Sequence, residues 1–179
     1  ITQEEQVEQI LLKHIFKFSS GKNITRMSDR AACVYTSEDF ERDLHNNNNY
    51  AVSRCIINLI KSQAAPMSRE SIGKEVTSNF LVCEFDPDIL NPWYFCYEFN
   101  EGTDVEQQIL KYHQGNTLSV KKLNIKIIGD LKIKLPDLTK QKIIGEMYRR
   151  AIEIYDLMLH QAYNYRKLSR EIIKKMEDN

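Results

Sequence analysis

Leu131-Lys-Ile-Lys-Leu-Pro-Asp-Leu-Thr-Lys-Gln141 alternates apolar and polar residues up to Leu135, stops at Pro136, and is followed at once by a helical pattern. Alternation with a period of two reads as a strand, and Pro136 closes it. From Thr139 to Asn179 the chain contains no proline, and its one glycine is Gly145. A long amphipathic helix is therefore predicted from about Thr139 to the end. At about 1.5 Å per residue it would run for about 60 Å, much farther than covering the preceding residues requires. A helix that overhangs its own domain is built to hold something else.

The apolar spacing of this helix supports that reading. Ile144, Ala151, Met158, Tyr165 and Ile172 recur every seven residues, as do Tyr148, Tyr155, Ala162, Ser169 and Met176. Interleaved, the two series form the four-three seam of a coiled coil. Met147, Ile154 and Leu168 widen it on one flank. Large tyrosines alternating with small alanines suit antiparallel pairing, in which a bulky side chain meets a small one. Burying such side chains releases about 1.5–3 kcal/mol each, offset in part by the entropy of ordering them. The residues expected to form a dimer seam are Ile144, Tyr148, Ala151, Tyr155, Met158, Ala162, Tyr165 and Ile172.

Upstream, the pattern predicts an α+β globule. Thr2-Gln3-Glu4-Glu5 reads as a capping box, opening a helix on which Val7, Ile10, Leu11, His14, Ile15 and Phe18 share a face and which ends before Ser19-Ser20-Gly21. A short strand is expected over Ala31–Thr36 and a short helix from Ser37 to about Leu44. His45-Asn46-Asn47-Asn48-Asn49 is a polar loop, either a surface connector or a segment able to touch base edges. Ala51–Lys61 reads as a buried strand, or two, broken by Ala64-Ala65-Pro66. Ser71-Ile72-Gly73-Lys74 is a turn and Asn79–Phe85 a strand. Asn91-Pro92-Trp93 opens a helix with proline at its first position, closed by Asn100-Glu101-Gly102. A further helix is expected from Thr103 to Tyr112, stopped by Gly115. Leu118–Leu123 and Ile125–Leu135 supply the last short elements, interrupted by Gly129-Asp130. The division expected is a globule over residues 1–135 and a spacer helix over 136–179.

Bulk properties narrow the function. The chain has 179 residues, 42% of them hydrophobic, which suffices for one real core. No apolar run reaches the roughly twenty residues needed to span a bilayer. The start at Ile1 reads as a trimmed one. Four scattered cysteines (Cys33, Cys55, Cys83, Cys96), without a Cys-x-x-Cys pair, read as reduced and mostly buried thiols of a cytoplasmic protein, not as a metal site. Lysines and arginines (25) balance aspartates and glutamates (25), which argues against strong unaided nucleic-acid binding. The balance is uneven: Thr139–Asn179 holds nine basic residues against six acidic, Leu81–Leu138 six against nine.

No catalytic constellation is evident. There is no glycine-rich phosphate cradle, no Gly-x-Ser-x-Gly elbow and no His-Glu-x-x-His. Asp86-Pro87-Asp88 reads as a turn and not as a metal-binding pair. Asn91-Pro92-Trp93-Tyr94 resembles the Asn-Pro-x-Tyr motif of base amino-methylation, but the glycine-rich cofactor loop that such an enzyme needs after a strand is missing. No cofactor, metal or catalytic residue is expected.

The pattern Leu131-x-Ile133-x-Leu135-Pro136-x-Leu138-x-x-Gln141-x-x-Ile144-Gly145 resembles the junction between a target recognition domain and the long helix in specificity subunits of type I restriction–modification enzymes. Gln108–Thr117, with Gly115-Asn116-Thr117, is similar to the stretch that precedes that junction. Leu12–Asn23 resembles the domain opening, and Pro92-Trp93-Tyr94-Phe95-Cys96-Tyr97 the aromatic helix of the family. Complete subunits carry two recognition domains and two long helices, whereas this chain has one of each and so looks like a half-subunit, or one half of a longer protein. Where the family shows Gly-Asp-Ile/Val before an apolar strand, this chain reads Ala51-Val52-Ser53-Arg54-Cys55-Ile56. The resemblance implies a non-catalytic reader of double-stranded DNA that takes one half of a bipartite site. It also implies docking of a methyltransferase (modification) subunit, joined by a restriction subunit, with pairing as a homodimer. Expected DNA contacts are Lys22, Asn23, Arg26 and Arg30, then Ser68, Arg69 and Lys74, then Asn47 and Asn48. A coiled-coil adaptor that binds protein and not DNA is the alternative; a fragment of an adenine methyltransferase is another.

Overall fold

In the computed structural model, residues 8–22, 34–45, 48–114 and 122–177 are described. The chain opens with strand β1 (Gln9–Leu11), a single helical turn α1 (Leu12–Ile15) and strand β2 (Lys17–Ser20). This corrects the expected amphipathic helix through Phe18. The backbone of Gln9–Leu11 pairs antiparallel with strand β8 (Lys132–Lys134), and that of Lys17–Ser20 with strand β7 (Phe80–Glu84). Leu12 and Phe16, four apart, are buried through the one turn between these strands, which is the spacing that imitates a helix. Sheet pairing overrides the local propensity. The capping box at Thr2 lies outside the described residues.

β2, β7, β4 (Tyr50–Asn58) and β5 (Gln63–Ser68) form an antiparallel sheet in the order β2-β7-β4-β5. Ala64-Ala65-Pro66 does not end a strand, as expected, but lies inside β5. That strand is at the sheet edge, where proline's missing N–H costs no ladder bond. A second sheet pairs β1 with β8, and β3 (Val34–Tyr35) runs parallel to β6 (Glu75–Val76). Helix α2 (Ser37–His45) opens on a capping box one residue earlier than expected. The Thr36 hydroxyl accepts from the Asp39 amide (3.2 Å) and the Asp39 carboxylate accepts from the Thr36 amide (3.0 Å). The Ser71–Lys74 turn forms with Gly73 at φ 93°, a conformation that favours glycine.

Helices α3 (Pro92–Glu101) and α4 (Thr103–Gln114) follow β7 as read, and α5 (Ile125–Asp130), capped by the Asn124 side chain, precedes β8. Gly115 and most of the expected Leu118–Leu123 element lie outside the described residues. The core joins the sheet face to α3: Ile56, Ile57, Leu81, Phe95 and Leu131 are fully buried. The Phe16 ring sits edge-on to Phe95 (4.8 Å) and Phe85 (5.4 Å). Cys55 and Cys96 bring their sulfurs to 4.0 Å and Cys83 lies across the strand pair from Cys55, all as buried free thiols. Burial pushes the Cys55 and Cys83 thiols up, so they stay protonated. Helix α6 runs from Leu138 to Glu177, 40 residues without interruption. The result is a mixed α+β globule carrying one long C-terminal helix, and no helix among the described residues is long and apolar enough to cross a membrane.

Candidate nucleic-acid interface and helix platform

The root of α6 is fixed by polar side chains inside the protein. Asp137 caps it, accepting from the Lys140 amide at 3.0 Å. One turn later Gln141 is only 1% exposed. Its carbonyl oxygen accepts from the Asn91 amide (2.9 Å), while its Nε2 donates to the carbonyls of Ile89 (3.0 Å) and Pro136 (2.8 Å). One amide thus ties α6 to the start of α3 and to the proline that ends β8. Gly145 follows on the same side. A Cβ there would lie 2.6 Å from Asn91 Oδ1 and 2.8 Å from the Tyr94 nitrogen, so only glycine lets the helices approach this closely.

Two further side-chain amides close strand edges. Asn100 accepts from the Ala64 amide (2.7 Å) and donates to the Ala64 carbonyl (2.9 Å) and the Tyr148 hydroxyl (3.1 Å). Gln108 accepts from the Lys132 amide (2.8 Å) and donates to its carbonyl (2.9 Å). Each mimics a missing neighbouring strand. Tyr148 packs its ring on Trp93 and Tyr97, and burial pushes its phenol up to about 12, keeping it neutral. His45 Nδ1 meets Asp156 Oδ2 at 2.8 Å, joining the end of α2 to α6.

Past Asp156, every described residue of α6 is exposed. The expected seam therefore divides. Ile144 and Tyr148 are half-buried and pack on the protein's own globule. Ala151, Tyr155, Met158, Ala162, Tyr165 and Ile172 face solvent, with Met158 at 64% and Tyr165 at 72% exposure. A run of exposed large apolar side chains at this spacing marks an interaction surface.

The expected DNA contacts do not gather in one place. Asn23, Arg26, Arg30 and Asn47 lie outside the described residues. Lys22 is exposed and 3.8 Å from Glu75. Strand register puts it at the Asn58–Phe80 end of the four-stranded sheet, while Asn48 and Arg69 are exposed at the opposite end, where Tyr50 pairs with Ser68. The Arg69 amide donates to the Asn49 carbonyl (2.9 Å). Ser68 and Lys74 are committed inside the globule. The Ser68 hydroxyl is buried and donates to Ser71 (2.9 Å), and the Lys74 ammonium donates to both oxygens of Asp39 (2.8 Å each). Burial raises the Asp39 carboxyl, but the Lys74, Thr36 and Arg42 bonds outweigh it and hold the group below the usual range. Nearby, burial dominates at Asp43, whose carboxyl is pushed up despite its bond from Tyr35.

Asn91 and Tyr94, the motif residues that resemble a methylation site, are structural. Asn91 Oδ1 caps α3 by accepting from the Tyr94 amide (3.0 Å), and the Tyr94 hydroxyl donates to the Lys134 carbonyl (2.9 Å). Asp86 Oδ1 accepts from the Asp88 amide (2.9 Å) in an exposed turn, as read. Sequence reasoning missed the importance of Gln141, although stepping back by seven from Tyr148 lands on it.

No family model matches the chain, and no curated protein matches its sequence. Solved structures do match its fold. The HsdS subunit from Thermoanaerobacter tengcongensis superposes with a TM-score of 0.58 at 13% identity over 90% of this chain and 41% of that one. The type I restriction–modification S subunit from M. genitalium gives 0.51 at 14%, over 92% and 45%. A structure describing complex assembly and conformational transition of the type I R-M system gives 0.61 at 14%, over 95% and 44%. The chain thus spans less than half the length of these solved chains, and its fold, globule and long helix together, is the one seen in S subunits.

Proposed function

We propose that this chain is a non-catalytic, sequence-specific DNA-recognition subunit of a type I restriction–modification complex. Residues 1–135 read one half-site, and residues 136–179 pair with a second long helix and dock a methyltransferase subunit, with a restriction subunit joining the complex in the cytoplasm. The observation that carries this reading is the shared fold with S subunits across both the globule and the helix, over 90% or more of the chain. The exposed stripe from Ala151 to Ile172 supports the pairing, because a helix with this face needs a partner to dry it. Antiparallel pairing of two copies would give two-fold symmetry and a target of two inverted half-sites at a fixed distance.

The test is selection from a random duplex library with the full chain, with and without a methyltransferase subunit, followed by sequencing. Enrichment of inverted half-sites at one spacing is expected; a pool that stays random with the partner present would refute the reading. A protein-binding adaptor is the second reading. It is favoured by the neutral overall charge and by the internal use of Ser68 and Lys74, and it predicts the random pool.

A further inference from the structure

The seam is not the sole uncovered side of α6. Beyond the globule, Tyr163, Arg166, Lys167, Arg170 and Lys174 follow one another at spacings of three, one, three and four residues. Together with Glu171 they line a shallow groove of about 270 Å³. At about 3.6 residues per turn this side lies nearly opposite the Met158, Tyr165 and Ile172 stripe, so pairing through that stripe leaves the basic side free.

Several cations elsewhere are held by carboxylates. Lys13 pairs with Asp130, Arg42 and Lys74 with Asp39, Arg54 with Glu84, Lys134 with Asp104, and Arg149 and Arg150 with Glu146. Arg166, Lys167, Arg170 and Lys174 have no carboxylate partner among the described residues. The overhanging part of the helix thus holds five cations against three carboxylates, and four of those cations share one side.

We infer that this face holds the sugar–phosphate backbone of double-stranded DNA, as a sequence-independent contact made by the helix and separate from base reading by the globule. The inference rests on the DNA-recognition reading above. Phosphates are the occupant because the groove offers four cations against one glutamate, one tyrosine and no aliphatic side chain. A protein partner needs an apolar centre to its interface, whereas a polyanion is held by lysine and arginine through release of its counterions. The contact also fits a protein whose globule, residues 1–135, carries 16 lysines and arginines against 18 aspartates and glutamates: the reader sets the sequence and the helix supplies the attraction.

The test compares the wild type with the fourfold variant Arg166→Gln, Lys167→Gln, Arg170→Gln, Lys174→Gln. Binding to a random-sequence duplex is followed by fluorescence anisotropy across a salt series. All four side chains are exposed and off the seam, so circular dichroism and mass in solution are expected to stay unchanged. The slope of log affinity against log salt is expected to fall by about 0.9 for each phosphate released, or about 3 to 4 per chain. The sequence preference found by library selection is expected to persist. A second variant, Arg166→Lys with Arg170→Lys, is expected to keep the wild-type slope, because phosphate is held here by charge and not by a bidentate fork.

An unchanged slope in the fourfold variant, with sequence preference intact, would overturn this contact and leave the recognition reading standing. A fall in slope in a protein with no sequence preference would refute the recognition reading alone. Loss of methyltransferase-subunit capture at unchanged slope would assign the face to a protein and overturn the inference.

Discussion

Replacing Gln141 by methionine isolates the joint between globule and helix. Methionine keeps nearly the same length and volume but makes none of the three bonds to Asn91, Ile89 and Pro136. An intramolecular hydrogen bond contributes about 0.5–1.5 kcal/mol net, and a buried group left without a partner costs about 1–3 kcal/mol. Three backbone groups lose their partner at a site that is 1% exposed, so the expected loss is about 3–5 kcal/mol, a large part of the about 5–15 kcal/mol typical of a domain. Urea unfolding followed by circular dichroism measures it as a lower midpoint at constant m-value. A loss below about 1 kcal/mol would mean that the freed groups find water or relax, and that this amide does not anchor the helix.

Gly145→Ala would gain about 1 kcal/mol at an open helix position. Here the new methyl meets the Asn91 side chain and the Tyr94 backbone, and overpacking costs about 1–3 kcal/mol, so a net loss in thermal stability is expected and a gain would contradict the close packing. Met158→Asp with Tyr165→Asp is expected to convert a dimer to a monomer by light scattering while leaving the urea midpoint of the globule unchanged; an unchanged mass would remove the pairing argument. Bonds from Arg149 and Arg150 hold the Glu146 carboxyl near 2, below the usual 4.5. A lowered carboxylate adds stability that is present above the unfolded value and is lost as pH falls through the folded one. The stability difference between wild type and Glu146→Gln should thus shrink between pH 4.5 and 2, by a small amount because the group is largely exposed. A difference that is constant across that range would show that the arginine bonds do not act through charge.

The elements legible in the sequence were those whose signals are local. Pro92 behind the Asn91 cap, the Gly73 turn and the long run after Pro136 all formed where their residue chemistry places them. The opening segment failed because Leu12 and Phe16 share a helical spacing while the backbone around them is paired to strands far along the chain. Pro66 misled because proline breaks a central strand but not an edge, and edge position is a property of the whole sheet. Serine and lysine at positions 68 and 74 looked like surface groups. The Ser68 partner, Ser71, lies three residues on in the same turn, and the Lys74 partner, Asp39, arrives only when α2 folds onto β5. Gln141 was hidden for the opposite reason: a polar side chain on an apolar stripe looks like an interruption, yet it is the bolt.

The free reach of α6 has a mechanical consequence. Past Asp156, which meets His45, the rod continues through 21 exposed residues to Glu177, about 31 Å of leverage. A swing of about 6° at the pivot carries the tip sideways by about 3.4 Å, which equals one base step along a strand of DNA. The contact between His45 and Asp156 at 2.8 Å, the last brace before the overhang, therefore sits where stiffness has the greatest effect on where the tip lies.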